Sequence, residues 1–237
     1  FLQWVIEDRF CGPRPDFAAH GVQLTAAVAP WEQAKLRLLN GSHSALAYLG
    51  ALAGHQFVAD AMAAPGYRGF VRTLMDEAQS TLTPPPELDL SAYRAALVAR
   101  FDNPALAHRT VQIAMDGSQK LPQRLLETIR VRLKRGQPFP ALALAVAGWM
   151  RWQRGVDEQG MAFVVDDPLA SQTAALLDGK SDPDAMVAAL SRLTAVFGAD
   201  LPADPRFGAA VSAALGQLLT AGAARTVAGL SAQERPP

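Results

Sequence analysis

Residues Trp31 to Gly50, WEQAKLRLLNGSHSALAYLG, set Glu32, Lys35, Asn40 and His43 into a segment otherwise dominated by leucine and alanine. These two residues favour helix strongly, so the segment reads as one. Wound at about 100° per residue with Lys35 at zero, Glu32 falls near 60°, His43 near 80° and Asn40 near 140°, all within one arc. Leu36, Leu39, Leu46 and Ala47 share that arc, while Ala34, Leu38, Ala45 and Leu49 fill much of the opposite side. A helix apolar nearly all round belongs inside a domain, and only Arg37, Ser44 and Tyr48 mark a wet edge. Spacing alone leaves two readings of the polar arc. A buried or half-buried Lys35 could pass a proton to or from a reacting oxygen, with Glu32 one turn earlier as relay. Equally, Lys35 could snorkel to solvent and pair with Glu32 while Asn40 and His43 satisfy backbone groups.

Outward from this helix, alanine- and leucine-rich segments punctuated by proline or glycine predict helices near 54–63, 67–80, 91–101, 104–114, 119–135, 140–153, 168–178, 183–197 and 205–225. Ser91, after Pro84-Pro85-Pro86, and Asp182, before Pro183, are the expected caps. Leu2 to Ile6 and Val22 to Val28 predict short extended pieces around a GPRPDF loop, and the terminal SAQERPP reads as solvated. The expected class is therefore all-α: a compact multi-helix domain with short extended segments near its start. Self-similarity at a fixed period is absent, which disfavours a solenoid.

The 237 residues, 50% of them hydrophobic, suit one large globular unit. Lys+Arg and Asp+Glu both number 22, so no general field favours nucleic acid or an anionic membrane. The single cysteine, Cys11, has no partner for a disulfide or a metal site, which is compatible with a cytoplasmic setting. The apolar run from Phe139 to Met150 is too short to span a bilayer. The opening FLQWVIEDRF resembles no signal peptide and carries no initiator methionine, so the chain is expected to be part of something longer. A GxGxxG turn, a Walker A loop and a GxSxG elbow are all missing from the sequence, so a dinucleotide would need another segment to hold it.

A second polar concentration spans His108 to Arg124, HRTVQIAMDGSQKLPQR. Lys120 and Arg124, one turn apart, could hold a carboxylate or sugar hydroxyls, with Arg109 and Gln112 on the preceding helix as further donors. Capping at Asp116-Gly117-Ser118 plus a solvated basic face accounts for the pattern equally well. His20 and His55 have no ligand companions at metal spacing, so no metal is expected. Trp149, Met150 and Trp152 read as core, and Asp166-Asp167 before Pro168 as helix-start chemistry.

The K-x4-N-x2-H spacing of Lys35, Asn40 and His43 resembles the signature of the mannitol dehydrogenase family, the polyol-specific long-chain dehydrogenases. QWVIEDRF at 3–10, NGSHSALAYLGALAG at 40–54, RFDNPALAHRT at 100–110 and AMDGSQKLPQR at 114–124 resemble it too, as do VAGWMRW and VDEQG further on, so the likeness covers essentially the whole chain. The resemblance implies that residues 1–237 are the helical C-terminal substrate and catalytic domain, like that of 6-phosphogluconate dehydrogenase-like enzymes. An N-terminal Rossmann domain that binds NAD, and that supplies an asparagine at the oxyanion, would be its partner outside the chain. It assigns Lys35 as general acid/base, Asn40 and His43 as hydrogen-bond donors to the reacting oxygen and its neighbour, and Glu32 as the acid that gates proton exchange. It favours Lys120 as a substrate contact, with Arg124, Gln112 and Arg109 beside it. The IAMDGSQKLPQR segment looks most like the fructuronate reductase (D-mannonate oxidoreductase) branch, implying NAD-linked reduction of fructuronate to mannonate. A mannitol 2-dehydrogenase or other polyol dehydrogenase is the alternative within the family, and a non-catalytic helical interaction domain is the alternative outside it.

Overall fold

The Trp31 to Gly50 segment is helical but not uniformly wound. In the computed structural model, which describes residues 3–233, α1 (Ala29–Ala34) leads into a widened turn over Lys35–Asn40, then α2 (Gly41–Leu52). The turn is closed by the Gly41 N–H on the Leu36 carbonyl, an i→i+5 bond. Such a turn advances roughly 80° per residue instead of about 100°, which swings Asn40 and His43 to within roughly 50° of the direction of Lys35. The polar arc is therefore tighter than uniform winding predicts. The expected wet edge is absent: Ser44 and Tyr48 are both fully buried, and half-buried Arg37 donates to the Thr81 carbonyl and hydroxyl.

Downstream come α3 (Val58–Ala63), α4 (Tyr67–Gln79) and α5 (Leu90–Phe101). On α4, Tyr67, Phe70, Val71, Leu74, Met75 and Ala78 are buried at i, i+3, i+4 spacing, while Arg68, Arg72 and Asp76 face out. The cap of α5 is Asp89 rather than the expected Ser91: its carboxylate accepts the N–H groups of Ser91 and Ala92 at 2.9 and 3.0 Å. The helix expected at 104–114 is a 3-10 turn at Pro104–Leu106 followed by α6 (Thr110–Ala114). Between them Ala107 adopts a left-handed φ of 46°. Residues 56–58 and 108–110 run antiparallel there, with the Val58 N–H on the His108 carbonyl and the Thr110 N–H on that of Gln56. That pairing also delays the start of α3 to Val58, so a tertiary contact overrides local propensity.

The 119–135 prediction resolves into α7 (Gly117–Leu121), a second widened turn at Pro122–Leu126, and α8 (Glu127–Lys134). Pro122 supplies the cause, since it lacks an N–H and its ring would strike the carbonyl four residues back; adding a residue to the turn relieves both. The Glu127 N–H closes this turn on the Pro122 carbonyl. Next, α9 (Pro140–Trp152) is buried from Ala141 through Trp152, as expected for Trp149, Met150 and Trp152. It crosses α2 at Gly148, where a Cβ would lie 3.0 Å from Leu49. Its first turn is capped from α4, because buried Glu77 accepts the Ala141 and Leu142 N–H groups, each at 2.9 Å.

The remaining helices are α10 (Ala170–Leu177), α11 (Pro183–Leu190), α12 (Thr194–Phe197), α13 (Asp200–Ala203), α14 (Pro205–Ala221) and α15 (Ala223–Gln233). Asp182 caps α11 through the Ala185 N–H, as expected. The 205–225 helix stops at Gly222, whose φ of 79° an L-residue rarely adopts, and helix resumes to Gln233. There Ser231 donates to the Gly66 carbonyl at 2.6 Å, so the start of the terminal segment is packed rather than solvated; residues 234–237 lie outside the described part. At the other end β1 (Val5–Glu7) and β2 (Gln23–Thr25) pair in parallel, Val5 opposite Gln23; Leu2 of the predicted first strand is not among the described residues. Trp4, 57% exposed, flanks this pair. Among the described residues no helix is long and apolar enough to cross a membrane.

Candidate active site

The two widened turns lie against each other. A Cβ on Gly41 would sit 2.8 Å from the Arg124 carbonyl oxygen, so only glycine lets the Lys35–Asn40 turn approach the Pro122–Leu126 turn this closely. From the second turn Arg124 reaches Ser44 on α2, donating to its hydroxyl at 3.0 Å. Arg124 Nε is buried without a hydrogen-bond partner. Burial lowers the guanidinium pKa, while nearby Tyr48 acts to raise it.

His43 lies one turn along from Asn40. Its ring stacks on Phe101 at 5.4 Å and meets the His108 ring at 5.2 Å. Burial, and then the neighbouring His108, Arg124, Arg100 and Lys120, push its pKa down to about 3. The imidazole is therefore neutral throughout the physiological range, with one nitrogen a donor and one an acceptor. His43 Nε2 is buried and has no hydrogen-bond partner. Half-buried Lys120 folds back along its own chain, donating to the Met115 and Ile113 carbonyls with the Asp116 carboxylate 3.9 Å away. Burial lowers its pKa too, with Arg124 adding to the effect. His43, Lys120 and Arg124 thus form one electrostatic cluster.

Lys35 and Glu32 are placed differently from the sequence expectation. Both are exposed rather than buried, and among the described residues no ion pair joins them. They line a groove of about 320 Å³ with Trp4, Val28 and Trp31. Asn40 is half-buried. Arg109 and Gln112 are exposed; Arg109 lines a separate cavity of about 240 Å³ with His55 and Gln56 near the far end of α2, so the structure does not bring it to Lys35. A larger cavity of about 630 Å³, lined by Arg68, Arg72 and Arg94, shares no residue with either. Among the described residues no three of His, Cys, Asp and Glu are grouped to hold a metal ion.

Sequence reading missed several neighbours of the cluster. Asp167 does more than start a helix: buried, it accepts the Ser118 hydroxyl and N–H at 2.5 and 2.7 Å as well as the Leu169 N–H at 2.9 Å. Tyr48 Oη and Trp149 Nε1, both buried without hydrogen-bond partners, lie within about 2.5 Å of where Gly117 would carry a Cβ. The DGS turn was visible in the sequence; a partner far along the chain was not.

The helical scaffold has counterparts among known proteins. The mannitol dehydrogenase C-terminal domain model matches residues 27–219. D-mannonate oxidoreductase of Escherichia coli K12 is 50% identical over 97% of this chain and 47% of its own length. A mannitol 2-dehydrogenase of Phaeosphaeria nodorum is 38% identical over 96% of this chain and 40% of its own. In structure, the ternary complex of Pseudomonas fluorescens mannitol 2-dehydrogenase with NAD and D-mannitol superposes with a TM-score of 0.90 at 37% identity, over 99% of this chain and 47% of that one. The chain spans about half the length of the curated relatives it matches. It belongs to the mannitol dehydrogenase family, as a C-terminal domain of that family.

Proposed function

We propose that the chain is the substrate-binding and catalytic half of an NAD-dependent reductase that converts a keto-uronate, fructuronate, to mannonate. The observation that carries this reading is the cluster itself: a neutral His43 with a free nitrogen beside two cations, Lys120 and Arg124. Such a set suits a hydroxylated substrate that also bears a carboxylate, since charge-assisted hydrogen bonds to that group are the strong ones. The likeness to a D-mannonate oxidoreductase supports the same substrate class. NAD would supply the hydride. On the protein side, Lys35 would give a proton to the carbonyl oxygen, Asn40 and His43 would stabilise the charge that develops there, and Glu32 would reconnect the lysine to solvent.

The exposure of Lys35 supports a site completed from outside the chain. One side of its groove is formed by exposed Trp4 and by Val5, the first residue of the short parallel pair; pairs this small are marginal alone and gain from a larger sheet. Residues 1–26 precede the matched domain model, and we take them as the junction to a cofactor-binding domain that holds NAD, in a cytoplasmic protein. A mannitol or other polyol dehydrogenase is the second reading, favoured by the mannitol in the similar complex.

A panel of fructuronate, tagaturonate and fructose with NADH, run on the full-length protein, tests the substrate. Rates on fructose equal to those on the uronates would refute the keto-uronate assignment. Lys35→Ala is expected to abolish most ketone reduction and leave NAD affinity nearly unchanged; parallel losses of both would refute its role as acid/base.

A further inference from the structure

We propose that Asp167 is a positioning residue for Lys120, a role that rests on the substrate contact assigned to Lys120 above. The connection runs through the turn between α6 and α7. Asp116 occupies the left-handed region at φ 54°, a conformation that costs a non-glycine residue energy and persists only where its surroundings impose it. Those surroundings are residues 166 and 167. The Asp166 carbonyl accepts the Asp116 N–H at 3.0 Å, and the Asp167 carboxylate grips both the hydroxyl and the N–H of Ser118. The chain is thus held on either side of Gly117, which is itself pressed against Trp149 and Tyr48.

Held this way, the first turn of α7 directs Lys120 back over the end of α6, where the Ile113 and Met115 carbonyls take up two of its N–H bonds. An ammonium has three donors. The third makes no hydrogen bond; the Asp116 carboxylate lies 3.9 Å from the ammonium, and the two carbonyl bonds fix the direction in which that N–H meets a ligand. Asp167 itself is buried, and its carboxylate accepts from Ser118 and Leu169. Its influence on substrate passes through the turn. Without its charge, Ser118 loses its partner, the strained Asp116 conformation relaxes, and Lys120 keeps its chemistry but loses its aim.

A double-mutant cycle on KM for fructuronate in the full-length protein tests this. A lost charge-assisted hydrogen bond predicts a rise of about ten- to a hundredfold for Lys120→Ala. Asp167→Ala is expected to raise KM about tenfold, and to add almost nothing when Lys120 is already alanine. The pH profile of kcat should not move, because Lys35 is untouched. A purely structural role would lower the active fraction and the melting temperature but leave KM alone. Asp167→Asn, which retains an acceptor for the Ser118 N–H, takes the place of the alanine variant if that variant does not fold, with a smaller rise and the same dependence on Lys120. If the two substitutions multiply independently, or if Asp167 variants leave KM unchanged, the positioning role is overturned. If Lys120→Ala itself leaves KM unchanged, the substrate contact fails and the Asp167 role falls with it.

Discussion

Gly41 offers a direct test of whether the two widened turns form one rigid unit. A methyl group there would meet the Arg124 carbonyl oxygen at 2.8 Å, Leu125 Cδ2 at 3.5 Å and the Leu36 carbonyl oxygen at 3.6 Å. Leu125 can yield by a small rotation; the Arg124 carbonyl cannot move without carrying its whole turn. Overpacking of this kind costs about 1–3 kcal/mol, while replacing a helical glycine by alanine returns about 1 kcal/mol. The expected net loss is up to about 2 kcal/mol, or a melting temperature lower by up to roughly 8 °C for a chain of this size. Gly208 on α14 is the control, with nothing within 4 Å of its would-be Cβ; there the propensity gain should act alone and raise the melting temperature by roughly 2–4 °C. Thermal unfolding followed by far-UV circular dichroism reads both. Because the displaced turn carries Arg124 away from Ser44, Gly41→Ala should also weaken substrate binding. A melting temperature that rises in Gly41→Ala as it does in Gly208→Ala would refute the rigid contact between the two turns.

Two further outcomes follow from other residues. His43 has a folded-state pKa near 3, well below its ordinary value, so its contribution is fully present above about pH 6.5 and is lost as pH falls toward 3, where the unfolded chain binds a proton that the folded one resists. Urea midpoints at pH 7 and pH 4.5 should therefore lie closer together in His43→Asn than in the parent, and an equal acid loss in both would refute the burial argument. At the start of α5, Asp89→Ala should cost about 1 kcal/mol of stability and Ser91→Ala almost none, because the carboxylate and not the hydroxyl caps the helix; the reverse order of urea midpoints would contradict the assignment.

Helix propensity and periodicity made most elements legible, and the buried α9 was plain from its unbroken apolar run. The boundaries that went wrong did so where a distant partner intervenes. α3 and α6 are shortened by the Phe57 to Arg109 pairing, and α15 continues because Ser231 finds Gly66. The site shows the same division. Lys35, Asn40 and His43 could be picked out because they share one helix, yet an ideal wheel misplaced them by assuming uniform winding. Pro122 marks the second widened turn, although the sequence reading carried one helix from 119 to 135 through it; nothing comparable marks the first. Asp167 was invisible for a different reason, since its role depends on a contact with Ser118 across |i−j| = 49, and local rules saw only an acid before a proline.

The exposure of Lys35 bears on how such a site can work at all. A lysine that is to protonate a ketone must lose bulk water at the moment of reaction, because a fixed environment stabilises developing charge better than mobile solvent. This chain half-buries His43, with its Nε2 out of solvent, but leaves Lys35 on the surface. On the proposed reading, the hydrogen-bonding part of the site is built in advance and the proton-transfer part waits for a covering surface. On the proposed architecture that surface arrives with the cofactor-binding domain, so Lys35 would be desolvated only where a nicotinamide is within reach. Lysine-directed labelling separates the cases: Lys35 should react freely in the isolated chain and be protected in the full-length protein with NAD bound, whereas equal labelling in both would place the covering surface elsewhere.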